Sequence, residues 1–227
     1  MEIKQVTLKT RDIKEMKNFY TNTLGLPLTK ENEYSFQVVV GSSQLEFTEK
    51  DVEGEPYYHF AFNIQGNKFY EAKSWIKERV NLNVEDGEDE AEFSHSDAHS
   101  LYFYDPAGNI VEFISRHSIS EAGNGPFSPR NILNISEISL TVDDSIIAGQ
   151  QLIDIGIKER GNYQLSATSL NFMGDSTTGV FMLLIQPGRR WIFSDKISAI
   201  YPLDITLSTN NRIIINDNNE LIINSNV

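Results

Sequence analysis

Tyr57-Tyr58-His59-Phe60-Ala61-Phe62-Asn63 alternates in character from one residue to the next. Read as a strand, it sets His59, Ala61 and Asn63 on one face and Tyr58, Phe60 and Phe62 on the other. The aromatic face needs an apolar layer to cover it. The opposite face carries an imidazole between small or polar neighbours, which suits a lined cavity better than a dry core. Three other strands of the first half each offer one comparable group: Gln5, Glu46 and Glu112.

Working outward, residues 2–9 alternate as a strand, with Ile3, Gln5, Thr7 and Lys9 on one face and Lys4, Val6 and Leu8 on the other. Asp12 follows as a helix N-cap, with Glu15 three residues on as its capping-box partner. Ile13, Met16, Phe19 and Tyr20 recur at helical spacing, and Gly25 is a natural stop. Strands are expected at 34–40 and 44–48, so the order is βαββ or βαβββ. After the 57–64 strand the order repeats, with Asn67 expected to cap a helix bearing Phe69, Ala72, Trp75 and Ile76. Strands at 100–104 and 109–115 flank the turn Asp105-Pro106-Ala107-Gly108. The acidic run 85–90 reads as a solvated surface turn.

Residues 117–130, rich in glycine, proline and serine, read as a linker. A third unit begins at 135–142, and the interval from Asp144 to Gly156 nearly matches that from Asp12 to Gly25, as an internal repeat requires. Strands at 166–173 and 179–186 complete it. A fourth unit, 199–208 and 212–224, has no room for a helix. The expected fold is therefore α+β: tandem βαβββ modules forming cupped mixed sheets, the last abbreviated. The expected domains are 1–116, made of two modules, and 131–227, a degenerate second copy. Gly188-Arg189-Arg190-Trp191 reads as a conformationally defined turn with no role assigned by sequence.

The 227 residues are 40% hydrophobic and 22% charged, an ordinary globular balance, and are ample for a real core. The formal charge of −13 argues against nucleic acid or an anionic membrane as partner. With no cysteine, any metal must be held by nitrogen and oxygen. No leader or membrane-length apolar run is evident, so a cytoplasmic location is expected.

Taken in order, Gln5-Val6-Thr7-Leu8, Asp12-Ile13, Phe19-Tyr20 with Leu24-Gly25-Leu26, Leu45-Glu46-Phe47, His59-Phe60-Ala61-Phe62, and Asp105-Pro106-Ala107-Gly108-Asn109 running into Val111-Glu112-Phe113 form a recognisable series. Over residues 1–116 it resembles the vicinal oxygen chelate superfamily: glyoxalase I, extradiol dioxygenases, and the bleomycin and fosfomycin resistance proteins. The resemblance implies a cup built from paired βαβββ units, with metal ligands on their first and last strands. Carried over by position, these are Gln5, Glu46, His59 and Glu112, a set similar to that of some glyoxalase I enzymes. It implies a divalent ion (zinc, nickel, cobalt or manganese, with iron less suited) and a small-molecule substrate with vicinal oxygens. The implied reaction is of lyase or isomerase type through an enediolate, with Glu112 as the catalytic base. Lys9, Asn63 and Tyr102 are the implied substrate-binding residues.

Two alternatives stand beside this reading. One is a ring-cleaving extradiol dioxygenase, which would use iron, although Gln5 stands where that family has a histidine. The other is a metal-free binding or resistance protein. In the second half, Glu137 is the one residue at a ligand position able to hold a metal, and 131–227 is expected to be structural or substrate-shaping. The modules are expected to pair within a monomer or to exchange in a homodimer.

Overall fold

The computed structural model describes residues 1–225. The first module contains β1 (Ile3–Lys9), α1 (Ile13–Asn18), β2 (Leu28–Glu31), β3 (Ser35–Val40) and β4 (Ser43–Thr48). The second contains β5 (His59–Ile64), α2 (Phe69–Lys77), β6 (Ala91–Phe93), β7 (Ala98–Tyr104) and β8 (Ile110–Arg116). The third has β9 (Ile132–Thr141), α3 (Ser145–Asp154), β10 (Asn171–Asp175) and β11 (Val180–Ile185). The fourth is strands alone: β12 (Leu203–Leu207), β13 (Arg212–Ile215) and β14 (Leu221–Asn224). Among the described residues, no helix is long and apolar enough to cross a membrane.

Local chemistry explains most boundaries. Asp12 caps α1 by accepting from Glu15 N at 2.9 Å, and Asp144 caps α3 by accepting from Ile146 N and Ile147 N at 2.9 and 3.0 Å. Asn67 does not cap α2. Its amide instead bonds Gly123 in both directions, at 3.0 and 2.8 Å, and the helix starts without a side-chain cap. Segment 117–130 is therefore docked rather than free, with buried Phe127 edge-on to Trp75. The strand expected from 166 begins only at Asn171, because Ser166 and Asn171 close a turn on each other. The run 212–224 is a hairpin, turned at 216–219 by the Asn216 side chain accepting from Asn218 N and Glu220 N.

The strands form two seven-stranded mixed sheets. The first runs β14-β13-β12-β1-β4-β3-β2 and the second β10-β11-β9-β5-β8-β7-β6. The first module thus joins the fourth through β1 and β12, and the second joins the third through β5 and β9. Sheet membership does not follow the division at 117–130, since each sheet draws on both halves of the chain. One apolar cluster, including Val6, Phe47, Phe60, Phe113, Ile138 and Ile205, fills the space between the sheets.

The two sheets touch at the β3–β4 turn. Ser42 N donates to Leu133 O at 2.8 Å, and the Ser43 hydroxyl donates to Ile3 O at 2.6 Å while accepting from Ile135 N at 3.1 Å. Gly41 adopts φ +58°, and a Cβ there would lie 2.0 Å from the Leu133 carbonyl oxygen. Gly41→Ala is therefore expected to cost about 2–4 kcal/mol, from left-handed strain plus a backbone clash. Urea denaturation checks this, and a loss below about 0.5 kcal/mol would mean that the turn relaxes freely.

Candidate metal centre

The register of three strands builds the site. Ala61 of β5 stands opposite Glu112 of parallel β8 on one side and Glu137 of antiparallel β9 on the other. His59, two residues earlier on β5, shares the face of Ala61. Because Ala61 ends at Cβ, the two carboxylates extend over it toward the imidazole. The His59 nitrogen and one oxygen from each of Glu112 and Glu137 lie within 4.8 Å of one another, and all three residues are buried. Two ligands each about 2.1 Å from one ion are at most about 4.2 Å apart, so only a small inward shift separates this arrangement from a coordination sphere.

Hydrogen bonding fixes what each group offers. His59 Nδ1 lies 3.0 Å from Ile110 O, and a carbonyl only accepts, so Nδ1 carries the proton. Burial pushes the imidazole pKa down and keeps the ring neutral. The Nε2 lone pair then faces Glu112 Oε2 at 3.4 Å. A lone pair and a carboxylate oxygen at that distance need a proton or a cation between them. Glu112 also accepts from the Ser100 hydroxyl at 2.5 Å, and among the described residues no lysine or arginine pairs with it. Burial, then the charge of Glu137, push its carboxyl up to about 8. Glu137 is compensated: the buried Arg116 guanidinium donates to it at 2.5 Å and to Asn63 Oδ1 at 2.5 Å. One imidazole and two carboxylates form a nitrogen and oxygen donor set that could hold a divalent ion.

The structure does not bring together the four residues expected from position. Gln5 and Glu46 belong to the first sheet and bond each other, Gln5 Nε2 donating to Glu46 at 3.0 Å. His59 and Glu112 belong to the second sheet and group there with Glu137 rather than with Glu46. The reason is the pairing of modules, first with fourth and second with third. Glu137 completes the group, so the second half contributes one of its three residues. Lys9 also sits in the first sheet, its Nζ donating to Lys50 O at 2.7 Å. Asn63 holds Arg116 rather than facing open space. Tyr102 is buried with its hydroxyl against Glu112, and burial raises its pKa well above the usual phenol value. Arg116, at the end of β8, was not singled out by sequence. Its signal would have been an arginine four residues after Glu112, on the same face of the strand.

A cover lies over the site. Trp191 packs on His59 with ring centroids 4.8 Å apart, and Phe193 stacks on Tyr102 at 4.9 Å and 14°. Glu85 from the acidic run holds this cover, pairing with Arg190 and accepting from Phe193 N, so part of that run is an anchor.

A family model described as "Glyoxalase/Bleomycin resistance protein/Dioxygenase superfamily" matches residues 2–113, and one described as "Toxoflavin-degrading enzyme" matches residues 135–189. No curated protein matches the chain. Among solved structures, a putative dioxygenase from Bacillus subtilis is 16% identical, with a TM-score of 0.57 over 81% of this chain and 63% of that one. A lactoylglutathione lyase from Agrobacterium tumefaciens is 19% identical, with a TM-score of 0.44 over 50% of this chain and 92% of that one. The first of these likenesses establishes the fold.

Arg116→Met strips Glu137 of its partner inside a closed site. It is expected to destabilise the metal-free protein by about 3–5 kcal/mol in urea denaturation. A change below about 1 kcal/mol would show that the Glu137 carboxylate is not held as a buried ion.

Proposed function

Because the chain belongs to the glyoxalase/bleomycin resistance protein/dioxygenase superfamily, we propose that it is a metal-dependent enzyme acting on a small molecule through two neighbouring oxygens. The observation that carries this reading is the convergence of His59, Glu112 and Glu137 in one buried group. These three residues would hold the ion and leave positions free for the substrate. Once bound, a divalent ion supplies Lewis-acid polarisation of the substrate oxygens.

The chain's own residues do the rest. Ile110 O fixes the His59 tautomer, and Arg116 fixes the Glu137 carboxylate. Glu112 is the proton carrier: its environment favours taking up a proton, and Ser100 holds one of its oxygens. Tyr102, Trp191 and Phe193 exclude water from the centre. This supports proton-transfer chemistry of the lyase or isomerase type, with Glu112 as base.

An oxygen-dependent breakdown of a ring is the second reading. The donor set resembles the facial triads of non-haem oxygenases, with a second carboxylate in place of one histidine. In addition, Glu137 lies inside the segment that matches the toxoflavin-degrading model. Oxygen uptake with candidate ring substrates would favour this reading, and turnover without oxygen would favour the first.

Metal analysis of protein offered manganese, iron, zinc, nickel or cobalt tests the centre itself. One ion per chain is expected for the parent and for a Gln5→Ala/Glu46→Ala double variant. His59→Ala and Glu137→Ala are each expected to weaken binding more than about 100-fold, beyond what loss of an outer partner does. Retention by Glu137→Ala, or loss in the double variant, would overturn the assignment.

A further inference from the structure

Each sheet ends in two edge strands, whose outward N–H and C=O groups are open to pairing with another chain. Three of the four edges are blunted. Residues 158–160 cover β10, with Gly174 N donating to Lys158 O at 2.8 Å and Arg160 N donating to Phe172 O at 2.9 Å. β6 is very short and carries Glu92 at its middle. β2 is interrupted by a register shift between Leu28 and Lys30, and it carries the charges of Lys30 and Glu31. β14, Leu221-Ile222-Ile223-Asn224, has no charge, no proline and no register shift. Among the described residues nothing pairs with its outer side.

Hydrogen-bond alternation fixes which groups face outward. Asn216 N donates to Glu220 O at 3.1 Å, so these two residues form a bonded pair at the end of the β13–β14 ladder. Bonded and non-bonded pairs alternate along an antiparallel ladder. Ile222 and Asn224 therefore bond β13, while Leu221 and Ile223 turn their N–H and C=O groups away from it. The other side of β13 agrees. Leu207 N donates to Asn211 O at 2.9 Å, which sends the groups of Ile213 and Ile215 to β12 and leaves those of Arg212 and Ile214 for β14. Leu221 and Ile223 lie partly buried against the apolar core between the sheets. Ile222, 38% exposed, stands on the opposite face beside Ile214.

We infer that β14 is a homodimerisation edge, which pairs antiparallel with β14 of a second copy about a two-fold axis at Ile222. That register uses every outward group: Leu221 of one copy meets Ile223 of the other, and each such pair exchanges both of its hydrogen bonds. On the core side these residues cover one another's remaining apolar surface, and on the other face the two Ile222 side chains meet at the axis. Charge favours a second copy in this orientation. Glu220 comes opposite Asn224 of the other copy, and Arg212 stands next to that Asn224 on β13. Asp204 holds Nε and Nη2 of Arg212, and among the described residues Nη1 has no partner, so it is left for the incoming carboxylate. Elsewhere a formal charge of −13 keeps copies apart, and an uncharged strand is where two can meet. The His59 group lies in the other sheet, so this inference is independent of the metal-dependent reading.

Analytical ultracentrifugation of the full chain tests this. The pairing strand is short, so a dimer with a Kd of roughly micromolar order is expected rather than a tighter one. Ile222→Lys sets two ammonium groups face to face at the axis, and Ile223→Pro removes an outward N–H that β13 does not use. Each is expected to weaken association about tenfold or more, with the far-UV circular dichroism spectrum unchanged. Ile222→Cys reads the register, because it introduces the sole thiol into a chain without cysteine. Non-bonded antiparallel partners stand about 4.5 Å apart at Cα, within disulfide reach. Oxidised glutathione is therefore expected to link this variant into a covalent dimer while Thr29→Cys, on β2, stays monomeric. A parent that remains monomeric at about 0.5 mM would overturn the inference. So would a dimer that survives both Ile222→Lys and Ile223→Pro, or equal cross-linking of the two thiol variants.

Discussion

Two carboxylates buried beside one imidazole impose the constraint that the surrounding structure answers. Removing a carboxylate from water costs several kcal/mol unless a partner compensates it. Arg116 compensates Glu137, and among the described residues no lysine or arginine pairs with Glu112 in the same way. The leftover demand is for a proton or a cation at the point that His59 Nε2 and Glu112 Oε2 both face. Ala61 makes this point reachable from both neighbouring strands, because a larger side chain in its place would hold the carboxylates apart.

The architecture serves that register. β5 lies in the middle of its sheet, parallel to β8 and antiparallel to β9, so a residue from the second half stands as near to His59 as one from the first. The first sheet has the same kind of arrangement around β1, but there the equivalent polar groups satisfy each other: Gln5 donates to Glu46, and Gln37 lies within reach of the same carboxylate. A carboxylate solvated by amides has no need of an ion. The two cups therefore share a fold and differ in electrostatics.

Much of this was legible in the sequence. The alternation in 57–63, the caps Asp12 and Asp144, and the missing helix of the fourth unit all follow from local physics, and the structure bears them out. His59 and Glu112 were legible as polar groups amid apolar strands. Which modules pair was not, because strand pairing between distant segments leaves no local periodicity. That one unknown moved Gln5 and Glu46 away from His59 and brought Glu137 to it. The cover was equally hidden: Gly188-Arg189-Arg190-Trp191 reads as a turn, and only the packing of Trp191 on His59 gives it a place at the site.

The proposed ion would be held by residues of the second and third modules alone. Anomalous diffraction from crystals grown with manganese(II) tests it most directly. A single strong peak is expected about 2–2.3 Å from His59 Nε2 and from one oxygen each of Glu112 and Glu137. A peak at the Gln5–Glu46 pair, or none beside His59, would contradict it.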